Sequence, residues 1–300
     1  MEFTSNNLDL AINGEGFFVL KDGSGSQVYT RAGAFSADRE GFVVNQAAQR
    51  LQIYPALTSA SGATTFNTGV LTDLQLPTQP SPPQATDNVY AALNLDARQD
   101  VPTLAFDPIN SPSSYNHSTS IVTYDSLGNA HTTTMYFRKT AANTWDGYVY
   151  VDGTEVAPAP GNANLTLSFD QNGAIQGTTS FPITFAFNPP NGANDMDFTL
   201  DFADTTQYGG PFAVNSLGQD GYSSGRLSGV DIDADGIVFA RYTNGQSSAM
   251  GKVALAKFNN TQGLRQIGDT SWVETFPSGD AQLGEAGTSS FGAIQSGALE

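Results

Sequence analysis

The chain has 300 residues, enough for about two domains of ordinary size, each able to bury a core without metals or disulfides. Its 12 basic against 29 acidic residues give a formal charge of −17, with no run of Lys and Arg to offset it, which argues against partners such as nucleic-acid phosphate or an anionic membrane surface. With no cysteine there is neither a disulfide framework nor a thiolate zinc site, and no apolar stretch approaches the roughly 20 residues a membrane-spanning helix needs.

Charged residues make up only 14% of the chain, against 31 glycines and 15 prolines, a balance that favours turns and short strands over exposed helices. The first residues, Met1 to Asn6, have neither the basic start nor the apolar core of a signal peptide. The chain therefore stays in the cytosol or leaves by a route whose signal lies outside it, and its abrupt end at Ala298-Leu299-Glu300 reads as that of a fragment.

In chain order, Leu8, Leu10 and Ile12 alternate, Phe17-Phe18-Val19-Leu20 is a buried run, and Val28-Tyr29-Thr30 follows a Gly/Ser turn. Phe42-Val43-Val44 and Leu51 to Tyr54 continue this compact β unit. Four prolines between Pro77 and Asp87 remove backbone donors and predict a stiff linker in place of a sheet ladder. Beyond it, Ser120 to Tyr124, the loop Asp125 to Asn129, and His131 to Arg138 read as a hairpin. Trp145 to Val151 alternates, with Tyr148 and Tyr150 on one face. Leu165, Leu167 and Phe169 lead into Asn172-Gly173, a strong hairpin signal. Phe181, Ile183, Phe185 and Phe187 share one face, as do Phe198, Leu200 and Phe202. A second Gly-rich crossing runs from Gln207 to Gly225. After it, Val230 and Ile232, Ile237 to Phe239 and Val253 to Ala256 are strands punctuated by Asp235-Gly236 and Asn244-Gly245.

These elements predict an all-β protein of two short-stranded, sandwich-like or barrel-like domains. Residues 1–86 and 213–300 form a discontinuous inner domain, and residues 87–212 an outer domain inserted into it.

The patterns that could carry chemistry are weak. Asp231, Asp233, Asp235 and Gly236 match the first half of a calcium loop, but its twelfth position is Tyr242 where a bidentate Glu belongs, and strands replace the flanking helices. A β-hairpin turn is the better reading. His117 and His131 are the only histidines and lack metal-ligand spacing; one is expected in a loop and the other on a strand. Asn13-Gly14-Glu15-Gly16 has Val19 where a phosphate-binding loop needs a third glycine, so it reads as a turn. No catalytic, cofactor-binding or metal residue is assigned, and no enzyme activity or cofactor is expected.

Leu8 to Phe18, followed by Tyr29-Thr30-Arg31-Ala32-Gly33-Ala34-Phe35, resembles the motif shared by flagellar rod and hook proteins. Val253 to Leu264, Gly268-Asp269-Thr270-Ser271-Trp272 and Gly297 to Glu300 are similar to the C-terminal half of the hook protein in particular. Tyr124 to His131 resembles its inserted outer domain. The resemblance implies an extracellular structural subunit, exported unfolded through the flagellar channel and self-assembling into the curved hook that passes torque to the filament. Its implied partners are other copies of the subunit, the hook cap, distal rod and hook-filament junction proteins, and the export apparatus. The helical termini of the family are absent from this stretch, so the chain alone is expected to be monomeric. Two other classes are weighed beside this one. A carbohydrate-binding or adhesin module would use Trp145, Tyr148 and Tyr150 as a stacking platform, and a glycosidase would need paired carboxylates to which no pattern points.

Overall fold

The computed structural model describes residues 2–58, 63–159, 165–176, 182–268, 270–288 and 290–300; Phe181 and Asp269 lie outside the described residues. Strands dominate, and the two described helical segments, Pro112–Ser114 and Thr261–Gly263, are single 3₁₀ turns. The chain is all-β, as its composition predicts.

Two compact units form. One joins Met1–Ser81 to Gly225–Glu300, and the other is the continuous segment Pro82–Ser224. The boundaries expected at 86/87 and 212/213 thus move outward. The segment Ala213–Gln219, read as part of a Gly-rich crossing, is a strand that pairs antiparallel with Asn88–Asp96. Its polar composition hides it. A Cβ at Gly218 would fall 2.1 Å from the tip of the exposed Tyr90 ring, which would have to swing aside.

The discontinuous unit is built around Phe17–Lys21, which pairs antiparallel with Gln27–Thr30, with Arg50–Thr58 and with Ser247–Lys257. Its run Phe17 to Leu20 is unbroken and apolar because both of its faces are covered, and only Lys21 at its end is exposed. Phe18 and Leu20 enter a cluster with Leu10, Ile12, Val238 and Ile294, while Val19 joins Tyr29, Tyr54 and Phe258 on the other side. The partner Ser247–Lys257 divides in the same way, with Val253 and Leu255 on one side and Ala254 and Ala256 on the other. Leu227–Ile232, Ile237–Tyr242 and Ser247–Lys257 follow as a meander whose turns are Asp235-Gly236 and Asn244-Gly245. The two ends of the chain close the unit: Leu10–Asn13 pairs with Ala293–Ser296, and Glu2–Phe3 with Ala298–Leu299.

The continuous unit is a sandwich. One sheet holds the expected hairpin His117–Tyr124 with Ala130–Ala141, then Thr144–Val151 and Thr166–Phe169. The other centres on Asn88–Asp96, with Met196–Asp201 and Thr206–Tyr208 both parallel to it and Ile183–Phe187 antiparallel to Met196–Asp201. Side chains from both sheets meet in one core, among them Phe137, Trp145, Leu167, Phe185 and Phe198. Such a core gives the sandwich its own reason to fold. The proline-rich segment forms no ladder. It is extended, with isolated bridges Ser81 to Gly225 in the first unit and Gln84 to Tyr222 in the second.

Candidate functional site

The motif Thr30-Arg31-Ala32-Gly33-Ala34-Phe35 is a set of fasteners for the opening strands. Thr30 Oγ1 donates to the Thr270 carbonyl at 2.9 Å and accepts from the Ala32 amide at 3.0 Å. The Arg31 guanidinium donates to the carbonyls of Gly14 and Gly16 at 2.9 Å and of Ile12 at 3.2 Å, and pairs with the Glu300 carboxylate. Five donors in a fixed fork suit this residue to gathering a turn's outward-facing carbonyls. Gly14 and Gly16 have φ of 127° and 135°, so Asn13 to Gly16 is a glycine-dependent turn. Gly33 lies so close to the Leu10 carbonyl that a Cβ would stand 1.7 Å from its oxygen. Phe35 then sets its ring edge-on to Phe18, with centroids 5.5 Å apart.

Beside the Asn13 to Gly16 turn lies an open groove of about 420 Å³ lined in part by Phe17, Arg31, Lys257 and Phe258. The Lys257 ammonium, hydrogen-bonded to Glu15, holds that carboxyl below its usual range.

Of the calcium-like carboxylates, Asp233 holds the turn. Asp233 Oδ1 accepts from the Ile237 amide at 2.8 Å, and Gly236, with φ of 78°, closes the turn. Asp231 pairs with Arg241 of the adjacent strand. Among the described residues no group of three His, Cys, Asp or Glu side chains converges as metal ligands would.

Both histidines lie on strands, which corrects the expectation of one in a loop: the strand read as Ser120 to Tyr124 begins three residues earlier, at His117, where Ser118 and Thr119 give no apolar alternation. The register pairs His131 with Thr123, six positions from His117, or about 20 Å at strand rise. The two rings therefore do not meet. His117 stacks on Phe212 at 4.5 Å and Trp145 at 5.7 Å, and its Nε2 has no hydrogen-bond partner among the described residues. Burial pushes its pKa down, against a smaller opposing pull from Asp96.

His131 is the more constrained. Its Nδ1 lies 2.6 Å from Asp152 Oδ2 and its Nε2 3.3 Å from Asp125 Oδ2. Only the imidazolium can donate at both nitrogens. Burial opposes that charge, but the hydrogen bonds to Asp152 and Asp125 outweigh it and raise the pKa. Asp125 is itself buried, which raises its pKa, yet Asn129, Asn191, backbone amides and His131 hold it far below the carboxylate range. The cluster binds the loop Asp125 to Asn129 to the strand that follows and to Asn191.

The supposed aromatic platform is divided by the strand's two-residue period. Trp145 points into the core, fully buried, with Nε1 donating to Gln207 Oε1 at 2.6 Å. Tyr148 and Tyr150 point the other way, where Phe106 stacks on Tyr148 at 3.7 Å. Burial, then Glu155, pushes the Tyr150 phenol up to about 12. Sequence reading also passed over Phe276, a ring wholly in solvent on the discontinuous unit; its place after a Glu-Thr pair carries no periodic signal.

Residues 11–87 match the family model described as the flagellar hook protein FlgE/F/G D1 domain, and residues 94–222 that of the flagellar basal body protein FlaE D2 domain. The chain is 34% identical over 307 residues to the flagellar hook protein FlgE of Salmonella typhimurium, spanning 99% of this chain and 73% of that protein. It is 33% identical over 325 residues to that of Borreliella burgdorferi, with 99% and 71% covered. In fold it is similar to the crystal structure of the Helicobacter pylori flagellar hook protein FlgE2, with a TM-score of 0.68 at 16% identity, covering 99% of this chain and 100% of that one.

Proposed function

The chain belongs to the flagellar hook protein family, and from that membership we propose how it works within the hook. It is a structural subunit of the flagellar hook, serving motility by assembling with copies of itself. The observation that carries this is the 34% identity to a hook protein across 99% of the chain.

In our reading the copies form a short curved tube that passes motor torque to the filament. The discontinuous unit serves as the inner domain and the inserted unit as the outer one. The subunit leaves the cell unfolded through the flagellar export channel and meets the cap, distal rod and junction proteins at the ends of the hook. It acts by contact and catalyses no reaction. A joint that bends while resisting twist needs stiff subunits with exchangeable contacts. Stiffness is supported by cores packed on both faces of Phe17–Lys21. Polar, Gly- and Asn-rich surfaces supply water-mediated contacts that tolerate small changes of register. The charge of −17 keeps free subunits apart before assembly.

Deleting the gene tests this reading. The expected result is basal bodies that end without a hook, non-motile cells, and restoration of both by the gene supplied in trans. Normal hooks in the deletion strain would overturn it.

A further inference from the structure

We propose that Phe276 is a contact residue between copies of this chain, an aromatic knob that one hook subunit buries against another. The proposal rests on the hook reading and adds a residue to it.

Phe276 has a relative exposure of 101%, the highest among the exposed large hydrophobic residues described. Scattered apolar side chains are common on protein surfaces. What distinguishes this one is the turn that holds it. Ser278, fully buried, accepts from the Thr275 amide through Oγ at 2.8 Å and donates back to the Thr275 carbonyl at 2.7 Å. Thr275 Oγ1 donates to the Gly263 carbonyl at 2.5 Å, and Asn260 Nδ2 donates to the Pro277 carbonyl at 3.1 Å. The backbones approach so closely that a Cβ on Gly263 would stand 2.6 Å from Pro277. Pro277 also fixes its own φ. The turn is therefore tied on both sides of the ring, while the ring itself gains nothing from folding.

A fixed aromatic presented in this way has lost much of its backbone freedom before it binds, which is what favours an anchor residue at an interface. The acidic surroundings do not select the partner; the assembly does. Glu274 and Asp280 flank the turn on a molecule of charge −17, so attraction to another acidic surface at a distance is not available. Recognition must come from short-range burial of the ring, and in an assembly of identical subunits the surface continually brought against it is that of a second copy.

The chain contains no cysteine, so Phe276→Cys introduces a single thiol. Hooks isolated from cells expressing this variant, labelled with a benzophenone maleimide and irradiated, should give chain-to-chain dimers on denaturing gels, with the cross-linked peptide containing position 276. In parallel, Phe276→Ala should melt with the wild type yet, expressed in cells in place of it, need about tenfold or more subunit to form hooks, as expected for truncation of an interface anchor. Only monomer from intact labelled hooks, cross-links to a different protein, or unchanged assembly of Phe276→Ala would overturn the proposal and leave the hook reading in place. If the wild-type protein is absent from isolated hooks, the hook reading falls and takes this proposal with it.

Discussion

Gly33 and His131 show how single residues are fixed by what surrounds them. At Gly33 the constraint is steric: the added methyl would overlap the Leu10 carbonyl, whose carbon and oxygen are backbone atoms that cannot swing aside. Gly33→Ala should lower stability by about 1–3 kcal/mol or more, read from the urea midpoint at constant slope. At His131 the constraint is electrostatic. The charged groups facing the ring are Asp152 and Asp125, with the Phe187 ring beside it. Because the folded pKa is raised, the imidazolium contributes stability that is fully present below the unfolded value of about 6.5 and is lost as pH rises through the folded one. The carboxyls of Asp125 and Asp152 are lowered, so their contribution is lost as pH falls below the ordinary carboxylate range. Wild-type melting temperature should therefore fall between pH 6 and 9, and His131→Gln should flatten that slope.

At the scale of elements, Phe17–Lys21 shows why an uninterrupted apolar run is required: each face meets a separate cluster. Phe18→Ala empties one of these and should cost about 3–5 kcal/mol, measured by chemical denaturation. Hairpins whose turns need a positive φ were legible in advance, because Gly128, Gly173, Gly236 and Gly245 all adopt it and follow residues that favour turns. The strand Ala213–Gln219 was not legible, since Val-Asn-Ser-Leu-Gly lacks apolar alternation and is specified by its neighbour Asn88–Asp96. The parallel pairings of Asn88–Asp96 escaped for a related reason: a local pattern reports one strand's faces and says nothing of distant partners. Trp145 was grouped with Tyr148 and Tyr150 by composition, whereas counting by twos from Trp145 leads to Val149 and Val151 and the core. The motif carrying the family likeness was visible, but its physical content, the Arg31 clamp and the Gly33 approach, needed coordinates.

At the scale of the molecule, the continuous unit owns a complete core and both of its sheets, while the discontinuous unit draws strands from both ends of the chain. Residues 82–224 expressed alone should therefore give a cooperative, two-state thermal transition. Residues 1–81 alone should not, because Phe17–Lys21 would lack Ser247–Lys257. Circular dichroism melts distinguish these outcomes. The account as a whole rests on the chain being a component of the hook. Immunogold electron microscopy of detached flagella, with antibodies raised against this chain, tests it most directly. Gold confined to the short curved segment between cell envelope and filament is the predicted result; label on the straight rod or along the filament, or none at all, would contradict it.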